Sequence, residues 1–149
     1  MLPRMKNEEP LPWWREGLRF SCIGCGRCCR GEPGAIWVSP IDEERIACWL
    51  NIDIPTLRIK NETQRWGAPS LREKEGGACV FYTLETGRCA IYSVRPIQCS
   101  LFPFWPHVVR TPQSWEQTAQ MCPGMNQGRL YPAQEIKFMI MLFPRVNRM

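Results

Sequence analysis

The sequence has one histidine, and few of the motifs that usually announce an activity. It contains no HExxH, no phosphate-binding P-loop, no GxGxxG and no nucleophile elbow, and no convincing pair of carboxylates for acid–base work. No catalytic residue is therefore assigned. No stretch approaches the roughly 20 apolar residues of a membrane span. The opening MLPRMKNEEPLPWWREGL lacks an apolar run of signal-peptide length and is interrupted by acids. These absences lead us to expect a cytoplasmic chain with no membrane partner. There is no Lys/Arg run or aromatic-basic ladder, so nucleic acid is not an expected partner either. Internal repeats and low-complexity tracts are missing as well.

Sulfur is abundant: nine cysteines in 149 residues. In a cytosolic chain thiols stay reduced, so clusters of them bind metal or do redox chemistry more often than they form a disulfide framework. The formal charge of +5 counts every thiol as neutral. Eight thiolates on two divalent ions would add about −4 and leave the protein nearly neutral, which undercuts the apparent basicity.

The length suits one domain. Pro 14 and Gly 11 are high and helical periodicity is patchy. The expectation is a small, loop-rich α+β domain with short helices and a β-hairpin, cross-linked by cysteine-bound metal. Residues 1–17 read as an N-terminal lead in which Trp13 and Trp14 pack on the domain edge. Residues 18–149 read as the cysteine-cluster domain. SPIDEERIACWL predicts a helix capped by Ser39, with Pro40 in its first turn, acids at its positive end, and Ile46, Trp49 and Leu50 on one face. Cys48, inside that helix, is expected to be a small buried hydrophobe. IPTLRIKNETQRW predicts a second, weaker helix starting near Pro55. Val80–Thr83 and Arg88–Tyr92 are candidate strands around a turn ending at Gly87. Ser93 and Pro96 start a short helix through Ile97–Leu101 that Pro103 stops. Ser114 and Gln117 have capping-box spacing. A last helix over Pro132–Leu142 puts Ile136, Ile140 and Phe143 on one side.

The densest sulfur lies in FSCIGCGRCCRG, where Cys22, Cys25 and Cys28 follow C-x2-C-x2-C. Gly24 and Gly26 let the chain turn so that these sulfurs converge. The spacing opens bacterial ferredoxin runs and also suits zinc. Side chains of adjacent residues diverge, so Cys28 and Cys29 are poorly placed for one small ion and are expected to serve two metals, or two irons of one cluster. Cys79, Cys89 and Cys99 recur every ten residues, and Cys122 stands in CPG. Together these make eight candidate ligands. All-sulfur ligation selects zinc or iron–sulfur clusters over magnesium or calcium. His107, in PFWPH, is expected to be an ordinary surface or core residue.

FxCxxCGxCC, CVFY, GRCAIYSVRPIQCSLFPFW and CPGMNQG together resemble the YkgJ-type cysteine-cluster family, described as a zinc- or iron-chelating domain and named for CxxCxxCC. The resemblance runs from Phe20 to about Gly128. It implies the metal ligands Cys22, Cys25, Cys28, Cys29, Cys79, Cys89, Cys99 and Cys122, and leaves Cys48 outside the pattern. Flagellin lysine-N-methylases, which are larger, are similar in the cysteine motif. Beside the cysteines, Arg95 is expected to neutralise thiolate charge or hold the loop through carbonyl hydrogen bonds, with Tyr92 and Pro96 next to it. Tyr92, Phe102, Phe104 and Trp105 are expected to wall the site from water.

Three functions follow. The first is a metal-binding protein holding an iron–sulfur cluster, such as 4Fe–4S, or zinc. The second is an iron–sulfur-dependent transferase or redox enzyme. The third is a zinc-stapled adaptor that docks a protein partner through Trp13, Trp14 and the Phe138–Phe143 face. The ferredoxin-like spacing and the Cys-Pro pair incline the reading toward iron–sulfur.

Overall fold

A computed structural model describes residues 11–23, 35–83 and 85–144. Its class is α+β: short helices are interspersed with short antiparallel strand pairs. The sequence expectation of that class holds.

Strand β1 (Leu18–Phe20) is only three residues long and pairs with β6 (Met125–Tyr131) from the far end of the chain. The register runs Leu18↔Tyr131 and Arg19↔Leu130, then jumps to Phe20↔Met125. That jump bulges β6 outward at Asn126 and Gly128, both of which have positive φ. Between these strands come α1 (Pro40–Leu50), α2 (Ile54–Asn61) and a hairpin of β2 (Glu62–Arg65) with β3 (Ala68–Leu71). Then follow a two-residue pair, β4 (Tyr82–Thr83) with β5 (Arg88–Cys89), and a 3-10 turn over Tyr92–Val94. Helices α3 (Ile97–Leu101), α4 (Pro106–Val109) and α5 (Pro112–Ala119) precede β6, and α6 (Ala133–Leu142) follows it.

Two apolar clusters form the core. One gathers Phe20, Phe104, Val108, Trp115, Met125 and Ile136, with Trp13 and Trp14 packed on its edge. The Trp13 indole also donates to the Val109 carbonyl at 2.8 Å. The other gathers Val38, Ile46, Leu57, Leu71, Phe81 and Ile91 around α1 and the central hairpins.

Helix α1 starts as its sequence predicts. Ser39 accepts from the Asp42 N–H, and the Asp42 carboxylate accepts from the Ser39 N–H, closing a capping box. Its buried face is different from the predicted one. Asp42 and Glu43 point inward, because Asp42 also accepts from the Ile97 N–H and Glu43 is gripped by Arg58. Ile46 and Ala47 share that face. Trp49 is therefore 55% exposed rather than in the core, and Cys48 is an exposed thiol rather than a buried hydrophobe.

Helix α5 corrects a second expectation. Its cap is Thr111, with Pro112 at the first position and Ser114 as the reciprocating third residue, so Ser114 completes the box instead of opening it. The predicted strands around Gly87 are real but shorter, because Tyr92 already belongs to the 3-10 turn. The last helix follows the prediction closely, with Ile136 fully buried.

Candidate metal centre

The distal cysteines come from separate elements. Cys79 lies in the turn before β4 and forms an isolated bridge with Glu73. Cys89 is in β5, opposite Tyr82. Cys99 is in α3, whose first turn is set by Pro96: the Cys99 N–H donates to the Pro96 carbonyl at 3.0 Å. Cys22 stands two residues beyond the end of β1. These four cysteines line one cavity of about 390 Å³. Cys22 is exposed and the other three are half-buried.

The cavity lies where the two apolar clusters approach each other. Ile36, Leu71 and Ile91 contribute from one side, Phe102 and Trp105 from the other. Its rim carries the exposed rings of Trp49 and Tyr92. The Trp49 indole is fixed by donation to the Ala90 carbonyl at 3.3 Å. Two guanidinium side chains, Arg88 and Arg95, are in the wall, and the described lining includes no carboxylate. A positive, largely apolar wall suits a bound group that carries net negative charge, as metal–thiolate centres do. The donor set is soft sulfur throughout, the chemistry of zinc and of iron–sulfur clusters.

Arg95 is held in place on two sides. Its guanidinium lies over the Tyr92 ring, 4.0 Å from the centroid, and its Nε donates to the Tyr92 carbonyl at 3.0 Å. Pro96, buried beneath it, lines the same cavity. Of the aromatics expected to wall the site from water, Phe102 and Trp105 line the cavity, and Tyr92 lines it as an exposed ring at the rim. Phe104 is instead fully buried in the neighbouring apolar cluster.

Cys122 sits apart from this wall. It ends the turn after α5, its N–H donating to the Thr118 carbonyl at 3.1 Å, and it packs against the Phe104 cluster. A backbone contact still links its neighbourhood to Cys22: the Ser21 N–H donates to the Gly124 carbonyl at 3.0 Å. Cys25, Cys28 and Cys29 lie outside the described residues. Among the described residues, no three His, Cys, Asp or Glu side chains gather closely enough to hold a metal ion by themselves. His107 is exposed and stacks against Trp105, with ring centroids 5.8 Å apart.

Sequence reasoning missed Gln98. Its side chain is buried beside Cys99 and bonded to residues 35–37. A lone glutamine in a helix carries no signal for that role.

A family model described as CxxCxxCC, "Putative zinc- or iron-chelating domain", matches residues 21–123. The chain belongs to that family, a class named for its CxxCxxCC cysteine motif. No solved structure matches it. Among the described residues, no helix is long and apolar enough to cross a membrane.

Proposed function

We propose that this protein is an iron–sulfur protein whose cluster is held by cysteines of the set Cys22, Cys25, Cys28, Cys29, Cys79, Cys89, Cys99 and Cys122. The observation that carries the reading is the cavity. Four of the eight cysteines line one cavity of about 390 Å³. One tetrahedral zinc, with Zn–S bonds of about 2.3 Å, draws its four sulfurs to within about 4 Å of one another, a site much smaller than this cavity. A polynuclear cluster has its own inorganic body to fill the volume, and its thiolates stand further apart.

The rest of the wall supports the same reading. Arg88 and Arg95 offset the negative charge of a thiolate-bound cluster, and the apolar lining strengthens that attraction by lowering the local dielectric. The adjacent pair Cys28–Cys29 fits a centre with more than one metal atom, because neighbouring side chains diverge.

The exposed rim favours a second reading, that of an enzyme. Trp49, Tyr92 and Cys22 open the cavity to solvent, so a small molecule can reach the cysteine-lined wall. A closed structural zinc site offers no such access.

Purification without oxygen, followed by metal and acid-labile sulfide analysis, tests the proposal. Iron with a matching amount of sulfide and broad visible absorption is the expected result. A colourless protein containing stoichiometric zinc under those conditions overturns it.

A further inference from the structure

The residues that precede and follow the cysteine-rich stretch are each held by a contact adjacent to a distal cysteine. On the far side, Ala35–Trp37 is gripped by Gln98. This side chain is 2% exposed. Its Oε1 accepts the Trp37 N–H at 2.9 Å, and its Nε2 donates to the Ala35 carbonyl at 2.9 Å. The amide group thus offers one acceptor and one donor, as a neighbouring strand would. Its orientation is unambiguous, because Trp37 can only donate and Ala35 can only accept at those atoms. The Gln98 carbonyl in turn accepts from the Trp105 indole at 2.7 Å, so the residue carrying the grip is itself pinned.

The opposite edge of this segment is bonded to β3. The Leu71 N–H donates to the Ile36 carbonyl at 2.9 Å, and the Ile36 N–H donates to Ser70 Oγ at 3.1 Å. Ile36, between the two grips, lines the cavity, as does Cys99, the residue after Gln98.

On the near side, Ser21 is gripped by the turn that follows Cys122. Its N–H donates to the Gly124 carbonyl, and its Oγ accepts from the Arg129 N–H at 2.9 Å. Gly124 and Gly128 press directly on Ser21. A Cβ at Gly124 would collide with the Ser21 backbone carbonyl, and one at Gly128 with the Ser21 side chain.

We propose that Gln98 and Gly124 are positioning residues for the metal centre: Gln98 holds Ala35–Trp37, after the cysteine-rich stretch, beside Cys99, and Gly124 holds Ser21, before it, beside Cys122. Each holds backbone at one edge of that stretch, and each lies within two residues of a distal cysteine. The inference rests on the reading of these cysteines as ligands. Neither residue touches the metal in this account. They act by fixing which backbone segments face each other, so that sulfurs from distant parts of the chain meet without a search.

The test uses the full chain as purified without oxygen, in the wild-type form and as Gln98→Leu, Gln98→Glu and Gly124→Ala. Backbone amide exchange reads the grip itself. The Trp37 N–H is expected to exchange at least about tenfold faster in Gln98→Leu, with the Ile46 amide in α1 unchanged. Metal retention against a competing chelator and the visible spectrum read the consequence. Gln98→Leu and Gly124→Ala are expected to lose metal about 10–100-fold more readily, the range typical of residues that orient ligands, and to shift the visible bands. Gln98→Glu keeps an acceptor for Trp37 and loses the donor to Ala35, so it is expected to fall between. If Gln98→Leu does not fold, Gln98→Glu is judged by the same readouts. Folded variants with wild-type metal retention and spectrum overturn the proposal, and so does an unchanged Trp37 exchange rate. A wild-type chain that binds no metal overturns the metalloprotein reading instead, and the exchange rates then decide the grip alone.

Discussion

Arg95 lies over the ring of Tyr92, its Cζ 4.0 Å from the centroid, with its Nε donating to the Tyr92 carbonyl at 3.0 Å. The stack fixes a permanent positive charge in the wall of the cysteine-lined cavity. A planar guanidinium can stack and donate at once, which a lysine ammonium cannot reproduce. Arg95→Met is expected to weaken metal retention about tenfold, and Arg95→Lys to recover only part of that loss. Chelator competition on the three proteins checks this. Equal retention in wild type and Arg95→Met would show that the charge plays no part.

The buried acids between α1 and β2 predict a pH dependence unrelated to metal. Arg58 grips Glu43 with two hydrogen bonds, at 2.8 and 3.1 Å, and these hold the Glu43 carboxyl below its ordinary value despite its burial. Glu62, only 4% exposed, has no such partner, and its Oε2 is buried without a hydrogen bond. Burial, helped by the neighbouring Glu43, pushes the Glu62 carboxyl up to about 7. A carboxyl raised in the folded state favours folding while it is protonated. Its contribution is therefore present below the ordinary carboxylate value and is lost as the pH rises toward 7. The Glu62 contribution is expected to shrink by on the order of 2–3 kcal/mol between pH 5 and pH 8, read against the opposing loss of thiolate–metal bonds in acid as the difference between wild type and Glu62→Gln at each pH. Glu62→Gln should lack that decline. Denaturant midpoints across the range, compared between the two proteins, give the answer.

Trp115 predicts the cost of damaging the core far from the cavity. It is 1% exposed, packs on Phe104 with centroids 5.8 Å apart, and donates through its indole to Asn126 Oδ1 at 2.8 Å. Trp115→Phe is expected to lower stability by about 2–4 kcal/mol through lost volume and an abandoned hydrogen bond. Metal content at saturation should not change. Chemical denaturation with metal analysis separates the two effects.

Metal removal should have a larger effect. Many connections here are short turns, and the strand pairs span two to seven residues. Thiolate–metal bonds joining several of them would contribute on the order of 10 kcal/mol or more, as in small metal domains, comparable with the whole stability of an ordinary domain. Verified demetallation is expected to abolish the cooperative melt, as recorded by circular dichroism.

The sequence was most informative where chemistry is local. Ser39, Pro40 and Asp42 mark the start of α1 because a helix cap is a contact between close neighbours. The face of α1 was misread because Asp42 and Glu43 find their partners, Ile97 and Arg58, on other elements, and no periodicity reveals that. The helix expected over IPTLRIKNETQRW stops at Asn61, and its second half is strand β2 of the β2–β3 hairpin, whose turn is Trp66-Gly67. Trp66 holds a positive φ of 50° in a place where asparagine or aspartate would be the usual signal. The β1–β6 pair joins three residues to a mostly exposed, bulged strand from the other end of the chain, so neither half advertises itself. The cysteine spacing identified the candidate ligands, and four of them line one cavity. The contacts at Gln98 and Gly124 were invisible because each is defined only by what the fold places beside it.

The most direct measurement is the metal and sulfide content of anaerobically purified wild type beside single serine variants at Cys22, Cys79, Cys89 and Cys99. The account predicts iron with matching sulfide in the wild type, and a loss of both in every variant. Undiminished content in all four variants, or a wild type holding neither metal nor sulfide, would contradict it.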